Sequence, residues 1–167
     1  MQPKIFSVVI PTYNRSSNLI KIINRLQGSQ ISFEIIVCDS NSKDQIKNKI
    51  KFIRSKFPKL NLKLINVKQN SNSLKRNTGI KRSVGKYIIL LDDDCLPEKN
   101  FLKNYYNLLK FVKNKNNIIC GSVKYSIYQH NKNFIKYRQS RHIIINNIDK
   151  ISKKIFTPKN IVTMNMC

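Results

Sequence analysis

The sequence predicts an α/β fold: a doubly wound, mostly parallel sheet flanked by helices. Three observations point there. Strand-length apolar runs alternate with helix-length segments from residue 5 to about residue 128, the order expected of a parallel sheet with right-handed crossovers. The run Tyr87–Leu91 is apolar throughout and bounded by turn signals, as suits a central strand covered on both faces. Polar clusters follow the strand ends or open the helices, and in open α/β sheets ligands collect outside the carboxyl ends of the strands.

The elements follow in order. Ile5–Ile10 is a β-branched first strand ended by Pro11. Ser16 or Ser17 can cap a helix with Leu19, Ile22, Ile23 and Leu26 on one face, and Gly28 stops it. Phe33–Cys38 is a second strand that runs into Asp39. A second helix carries Ile46, Ile50, Ile53 and Phe57 on one face and ends at Pro58. Leu60–Val67 alternates apolar and polar residues, which suits a strand near the sheet edge. Ser73–Val84 is a weaker helix closed by Gly85, and the strand Tyr87–Leu91 follows. A helix from about Glu98 to Val112 buries Phe101, Leu102, Tyr105, Leu108, Leu109 and Val112. Ile118–Tyr128 reads as a further strand and Ile161–Met164 as the start of another.

At 167 residues, one domain with a real core is the natural size. No apolar run approaches the roughly 20 residues needed to cross a bilayer. The start, MQPKIFSVVIPTYN, lacks the pattern of a signal peptide, so the expected location is cytoplasmic. The four cysteines form no CxxC pair and are expected to be reduced.

The net charge of +24 raises a nucleic-acid reading. However, the 25 Lys are spread along the chain, and they accompany 22 Asn and 26 Ile, all encoded by A/T-rich codons. No nucleic-acid motif appears, so no specific nucleic acid is expected. A solvated surface is the commoner meaning of such lysines. Peripheral contact with an anionic membrane, at its inner face, is a secondary expectation.

The stretch YIILLDDDCLP holds three of the chain's eight acids, Asp92, Asp93 and Asp94. Adjacent carboxylates repel, and a divalent cation is the simplest compensation, since hard cations share carboxylate and phosphate oxygens. The plainer alternative is an acidic turn capping the next helix. Pro11-Thr12-Tyr13-Asn14-Arg15, Asp39-Ser40-Asn41-Ser42 and Lys75-Arg76-Asn77 would meet these aspartates at one sheet edge. Such a cluster suits a hydrogen-bonding base and a diphosphate.

The segments VVIPTYNR, EIIVCDSNSKD, LKRNTGI and GKYIILLDDDCLP, in that order, resemble the family 2 glycosyltransferases. The resemblance covers roughly residues 5–112. It implies a GT-A, Rossmann-like fold and transfer of a sugar from a nucleotide-diphospho donor to an acceptor hydroxyl. The acceptor would be a glycan, lipid-linked or other hydroxyl. The implied chemistry is an inverting displacement with Mg2+ or Mn2+ held by a DxD motif. By this likeness Pro11, Thr12 and Tyr13 line the nucleoside pocket, and Asp39 hydrogen-bonds the base. Arg76 lies near the base and phosphates, and Arg15 nearby. Asp92 lies toward the ribose and Asp94 toward the metal. Asp93 lies between them, to shape the turn or approach the sugar.

The family's base lies downstream of the DxD motif. Here only Glu98 and Asp149 follow Asp94, and neither matches it, so no catalytic base is assigned. The ending NIVTMNMC is faintly similar to the strand before the family's base region, so the chain is expected to be truncated at its C-terminus. The expected division is a nucleotide-sugar-binding domain over residues 1–128 and an incomplete acceptor-side region over 129–167. A non-catalytic nucleotide-sugar-binding remnant and a basic nucleic-acid-binding protein are the alternatives.

Overall fold

The computed structural model describes residues 3–111 together with Ile119 and Gly121. The chain divides into two units, and the description below concerns the first, residues 1–119. The strands predicted over 118–128 and 161–164, the last residue of the helix ending at Val112, Asp149 and the region 129–167 lie outside the described residues.

Eight elements follow one another: β1 (Phe6–Thr12), α1 (Ser16–Leu26), β2 (Phe33–Asp39), α2 (Ile46–Lys56), β3 (Leu62–Asn66), α3 (Asn72–Lys81), β4 (Tyr87–Leu90) and α4 (Phe101–Leu109). The strands form one parallel sheet in the order β3-β2-β1-β4. The chain therefore steps outward from β1 to β3, then returns and continues on the other side of β1. That reversal creates a topological switch point between β1 and β4, where an open α/β sheet leaves a crevice at its carboxyl edge.

Apolar residues are buried on both faces of the sheet. On one face, Phe6, Val8, Ile10, Ile35 and Val37 pack with Leu19, Ile22, Ile23 and Leu26 of α1, with Ile46, Ile50 and Ile53 of α2, and with Leu102 of α4. On the other, Val9, Ile36 and Cys38 form a smaller cluster with Val67. There α3 approaches so closely that a Cβ on Gly79 would stand 2.2 Å from a Val9 methyl and 3.2 Å from Cys38 Sγ. Cys38 is a free, buried thiol pushed up to about 11 by burial, with the nearby Lys75 charge opposing that rise.

Four expectations are corrected. First, β1 does not stop at Pro11 but runs to Thr12. Val9 accepts from the Leu91 amide on the β4 side, and Pro11, two residues on, faces the same way. Its missing N–H ends pairing to β4, while the β2 ladder continues to Thr12 opposite Asp39. Second, the strand at 87–90 is outermost in the sheet among the described residues, and Ile88 is exposed. Third, α4 starts at Phe101 rather than near Glu98. Fourth, neither Ser16 nor Ser17 caps α1. The Ser16 amide instead donates to Asp44 Oδ2 at 2.6 Å, so a carboxylate from the β2–α2 loop sits at the positive end of α1.

A buried carboxylate fixes the connection into β4. Glu34, within β2 and fully buried, accepts from Ser7 Oγ at 2.6 Å and from the Val84 amide at 2.8 Å, and pairs with Lys63 Nζ at 2.7 Å. Burial pushes the Glu34 carboxyl up, but these partners outweigh it and hold the group below its ordinary value. The Gly85 amide donates to Ser7 Oγ, and a Cβ there would lie 2.5 Å from the Ser7 nitrogen, so only glycine lets the chain pass. Among the described residues, no helix is long and apolar enough to cross a membrane.

Candidate functional site

The crevice at the switch point is a cavity of about 410 Å³. Pro11, Thr12, Tyr13 and Arg15 enter it from the end of β1, and Asp92, Asp93 and Asp94 from the end of β4. Asn70, Asn72, Lys75 and Arg76 enter from the start of α3 and the loop before it. Each group stands where it does for a local reason. Ser71 caps α3 by accepting from the Leu74 amide, which orients the first turn that carries Lys75 and Arg76. Asn14 takes a left-handed backbone, with φ at 53°, and turns the chain sharply between Tyr13 and Arg15. That turn is tied to the neighbouring loop. The Asn14 amide donates to Ser42 Oγ, and Asn14 Oδ1 accepts from the Lys43 amide, each at 2.8 Å.

The three aspartates are held by the protein's own donors. Arg76 Nη2 meets Asp92 Oδ1 at 2.5 Å. Thr12 Oγ1 donates to Asp93 Oδ2 at 2.8 Å, and Arg15 Nη1 reaches Asp93 Oδ1 at 3.1 Å and Asp94 Oδ2 at 3.0 Å. The Arg15 guanidinium is raised above its ordinary value by its hydrogen bond to Asp94 and by the Asp93 charge. Three carboxylates thus face three cations, Arg15, Lys75 and Arg76, around one cavity. A bound cation is the simplest relief of carboxylate repulsion expected from the sequence, but two arginines supply that relief here.

Of the nine residues expected at the site, eight line the cavity. Asp39 does not. It ends β2, one strand away from the switch point, is buried, and receives both the Ser42 amide at 3.0 Å and the Ser42 hydroxyl. Its carboxylate shapes the β2–α2 loop in this structure.

Asn70 and Asn72 are not among the candidates read from the sequence, and Lys75 is expected there only as part of the Lys75-Arg76-Asn77 cluster, with no role of its own. Lys75 sits on α3, a weakly amphipathic helix. It is only 1% exposed, and its Nζ donates to the Thr12 carbonyl at 3.1 Å and to Asn70 Oδ1 at 2.9 Å. The available signal was position: Lys75 lies four residues before Gly79, on the face of α3 that meets the sheet.

No group of three or more His, Cys, Asp or Glu side chains converges for a metal among the described residues. The donor set still fits a shared hard cation. Asp92 and Asp94 each engage an arginine through one carboxylate oxygen, and Mg2+ is commonly held by one or two carboxylates plus substrate phosphates.

The family model described as Glycosyl transferase family 2 matches residues 7–166. Among curated proteins, a dolichyl-phosphate beta-glucosyltransferase of Dictyostelium discoideum is 34% identical over 70% of this chain and 39% of its own length. Glycosyltransferase AglE of Haloferax volcanii is 32% identical over 58% of this chain and 33% of its own length. Among solved structures, Staphylococcus aureus TarS in complex with UDP is 26% identical with a TM-score of 0.58, matched over 75% of this chain and 40% of that one. The chain spans between a third and two-fifths of these relatives' lengths.

Proposed function

Because the chain belongs to glycosyl transferase family 2, with the GT-A architecture described above, we propose that its switch-point cavity binds a nucleoside-diphospho sugar and that the protein transfers the sugar to an acceptor hydroxyl. The observation that carries this reading is the pairing of Arg15 and Arg76 with Asp92–Asp94 beside Thr12 and Tyr13 in one open cavity. Guanidinium groups match phosphate oxygens in fork geometry, so both arginines can turn from the aspartates toward a diphosphate. Tyr13 is 40% exposed and offers a flat face beside the β1 tip for a base. The UDP held by the TarS neighbour supports this ligand class.

On this reading Asp92 and Asp94 would hold Mg2+ or Mn2+ together with the diphosphate, as the two ends of a DxD motif. Such a cation, when bound, offsets the charge that develops on the leaving nucleoside diphosphate. Arg76 and Arg15, turned toward the phosphates, orient them and stabilise the same charge. Asp93, held by Thr12 and Arg15, keeps the β4 tip against the β1 tip. Direct displacement at the anomeric carbon would invert its configuration and would need a base for the acceptor hydroxyl. Every carboxylate described in the cavity already meets an arginine, so the base is sought elsewhere. Donor binding without turnover by this chain is therefore the second reading. The lysine-rich surface also favours an acceptor carried on an anionic surface, such as a membrane.

Calorimetric titration of the chain with UDP, GDP and dTDP, with and without Mn2+, tests the proposal. Binding of at least one, tightened by Mn2+, is expected. Absence of binding by all three in both conditions would overturn it.

A further inference from the structure

The diphosphate reading gives Arg15, Arg76 and the three aspartates their tasks but leaves Lys75 without one. Lys75 is buried yet lines the cavity, and both acceptors it meets, the Thr12 carbonyl and Asn70 Oδ1, are neutral. Among the described residues no carboxylate forms an ion pair with it. An ammonium has three N–H donors, so two are used and one remains. A buried charge with no counter-charge in contact is costly to keep. Burial pushes the Lys75 ammonium below its ordinary value, and the more distant Asp93 and Asp39 charges oppose that fall. The position of this donor matters as much as its charge. Lys75 Nζ lies on the backbone at the β1 tip and 5.9 Å from the centre of the Tyr13 ring, whereas Arg15 and Arg76 face the aspartates that follow β4. The phosphates therefore have their own cations, and Lys75 stands by the aromatic face offered to the base.

We propose that Lys75 reads the base: its third N–H donates to the exocyclic carbonyl oxygen that is O4 in uracil and O6 in guanine, so the cavity selects uracil over cytosine and guanine over adenine. The inference rests on the nucleotide reading given above. An ammonium has no lone pair to offer, so the amino group that cytosine or adenine places at that position would meet donor with donor. It would also leave that N–H without an acceptor. Sites built around a buried donor reject analogues that lack the acceptor far more strongly than apolar pockets reject small changes of size. Asn70 and the Thr12 carbonyl fix the ammonium from two other directions, which confines the third N–H to a narrow range.

The test is titration of UDP, CDP, GDP and ADP into the wild-type chain and into Lys75→Met, which keeps the apolar stem and removes the donors. The wild type is expected to favour UDP over CDP, and GDP over ADP, by about 10-fold or more, the scale of a charge-assisted hydrogen bond. Lys75→Met is expected to lose that preference, with UDP and GDP weakened and CDP and ADP little changed. A second measurement needs no variant. 4-Thio-UDP, whose sulfur is a poor acceptor, is expected to bind the wild type several-fold more weakly than UDP. An equal loss for all four nucleotides in Lys75→Met, or unweakened binding of 4-thio-UDP, would overturn the assignment while leaving the nucleotide reading intact. A wild-type chain that binds none of the four would overturn that reading, and the Lys75 assignment with it.

Discussion

Gly79→Ala is expected to destabilise the chain by about 1–3 kcal/mol, the usual cost of forcing atoms into a packed interface, and to weaken nucleotide binding at the same time. The added Cβ would lie 2.2 Å from a Val9 methyl, so α3 must lift from the sheet or Val9 must leave its rotamer. Val9 is fully buried in the middle of β1 and has little room to turn. A lifted α3 carries Lys75 and Arg76 away from the β1 and β4 tips, which links the packing defect to the site. Gly28→Ala is the matched control, because a Cβ there meets nothing within 4 Å. Its effect should stay within about 0.5 kcal/mol, as for most surface changes. Denaturant melts of both variants, read beside UDP titrations, check the pair. Wild-type stability in Gly79→Ala would show that α3 does not sit against β1 as described.

Arg76→Ala is expected to weaken UDP binding by about 10- to 100-fold, the range for one or two charge-assisted hydrogen bonds lost from a partly enclosed site. Two effects add. The variant removes a guanidinium placed for phosphate, and it leaves Asp92 beside Asp93 and Asp94 with no paired cation of its own. The fold should tolerate the change, since the Arg76 side chain is 31% exposed and paired only at the cavity. Binding is therefore expected to fall far more than stability does. Titration at two ionic strengths separates the causes, because screening relieves repulsion among the aspartates but does not restore a missing hydrogen bond. Undiminished UDP affinity in Arg76→Ala would remove the arginine from the site.

The fold was legible because its signals are local. Leu19, Ile22, Ile23 and Leu26 could share a face only on a helix, and all four are buried. The alternating β3 segment read as an edge, and among the described residues it is one. Pro11 misled because its consequence depends on which neighbour its missing N–H would have faced, and the sequence does not state strand order. The same gap explains Asp39. It was grouped with the other polar tips because β2 is adjacent to β1, yet the switch point lies on the opposite side of β1. Capping of α1 by Asp44 was equally hidden, since the carboxylate comes from a loop 28 residues away. Within the site, the charged tips of β1 and β4 and the cluster holding Lys75 were readable from the sequence. The burial of Lys75 was not, because lysine usually marks a solvated surface and only the close seat of α3 at Gly79 buries this one.

The central claim is that the tips of β1 and β4 and the start of α3 close around one nucleoside diphosphate. The most direct test is backbone amide chemical-shift mapping of the chain as UDP and Mg2+ are added. The largest changes are expected on residues 12–15, 70–76 and 92–94, with residues 56–61 at the amino edge of the sheet unmoved. Changes centred on that opposite edge, or shifts at only one of the three segments, would contradict it.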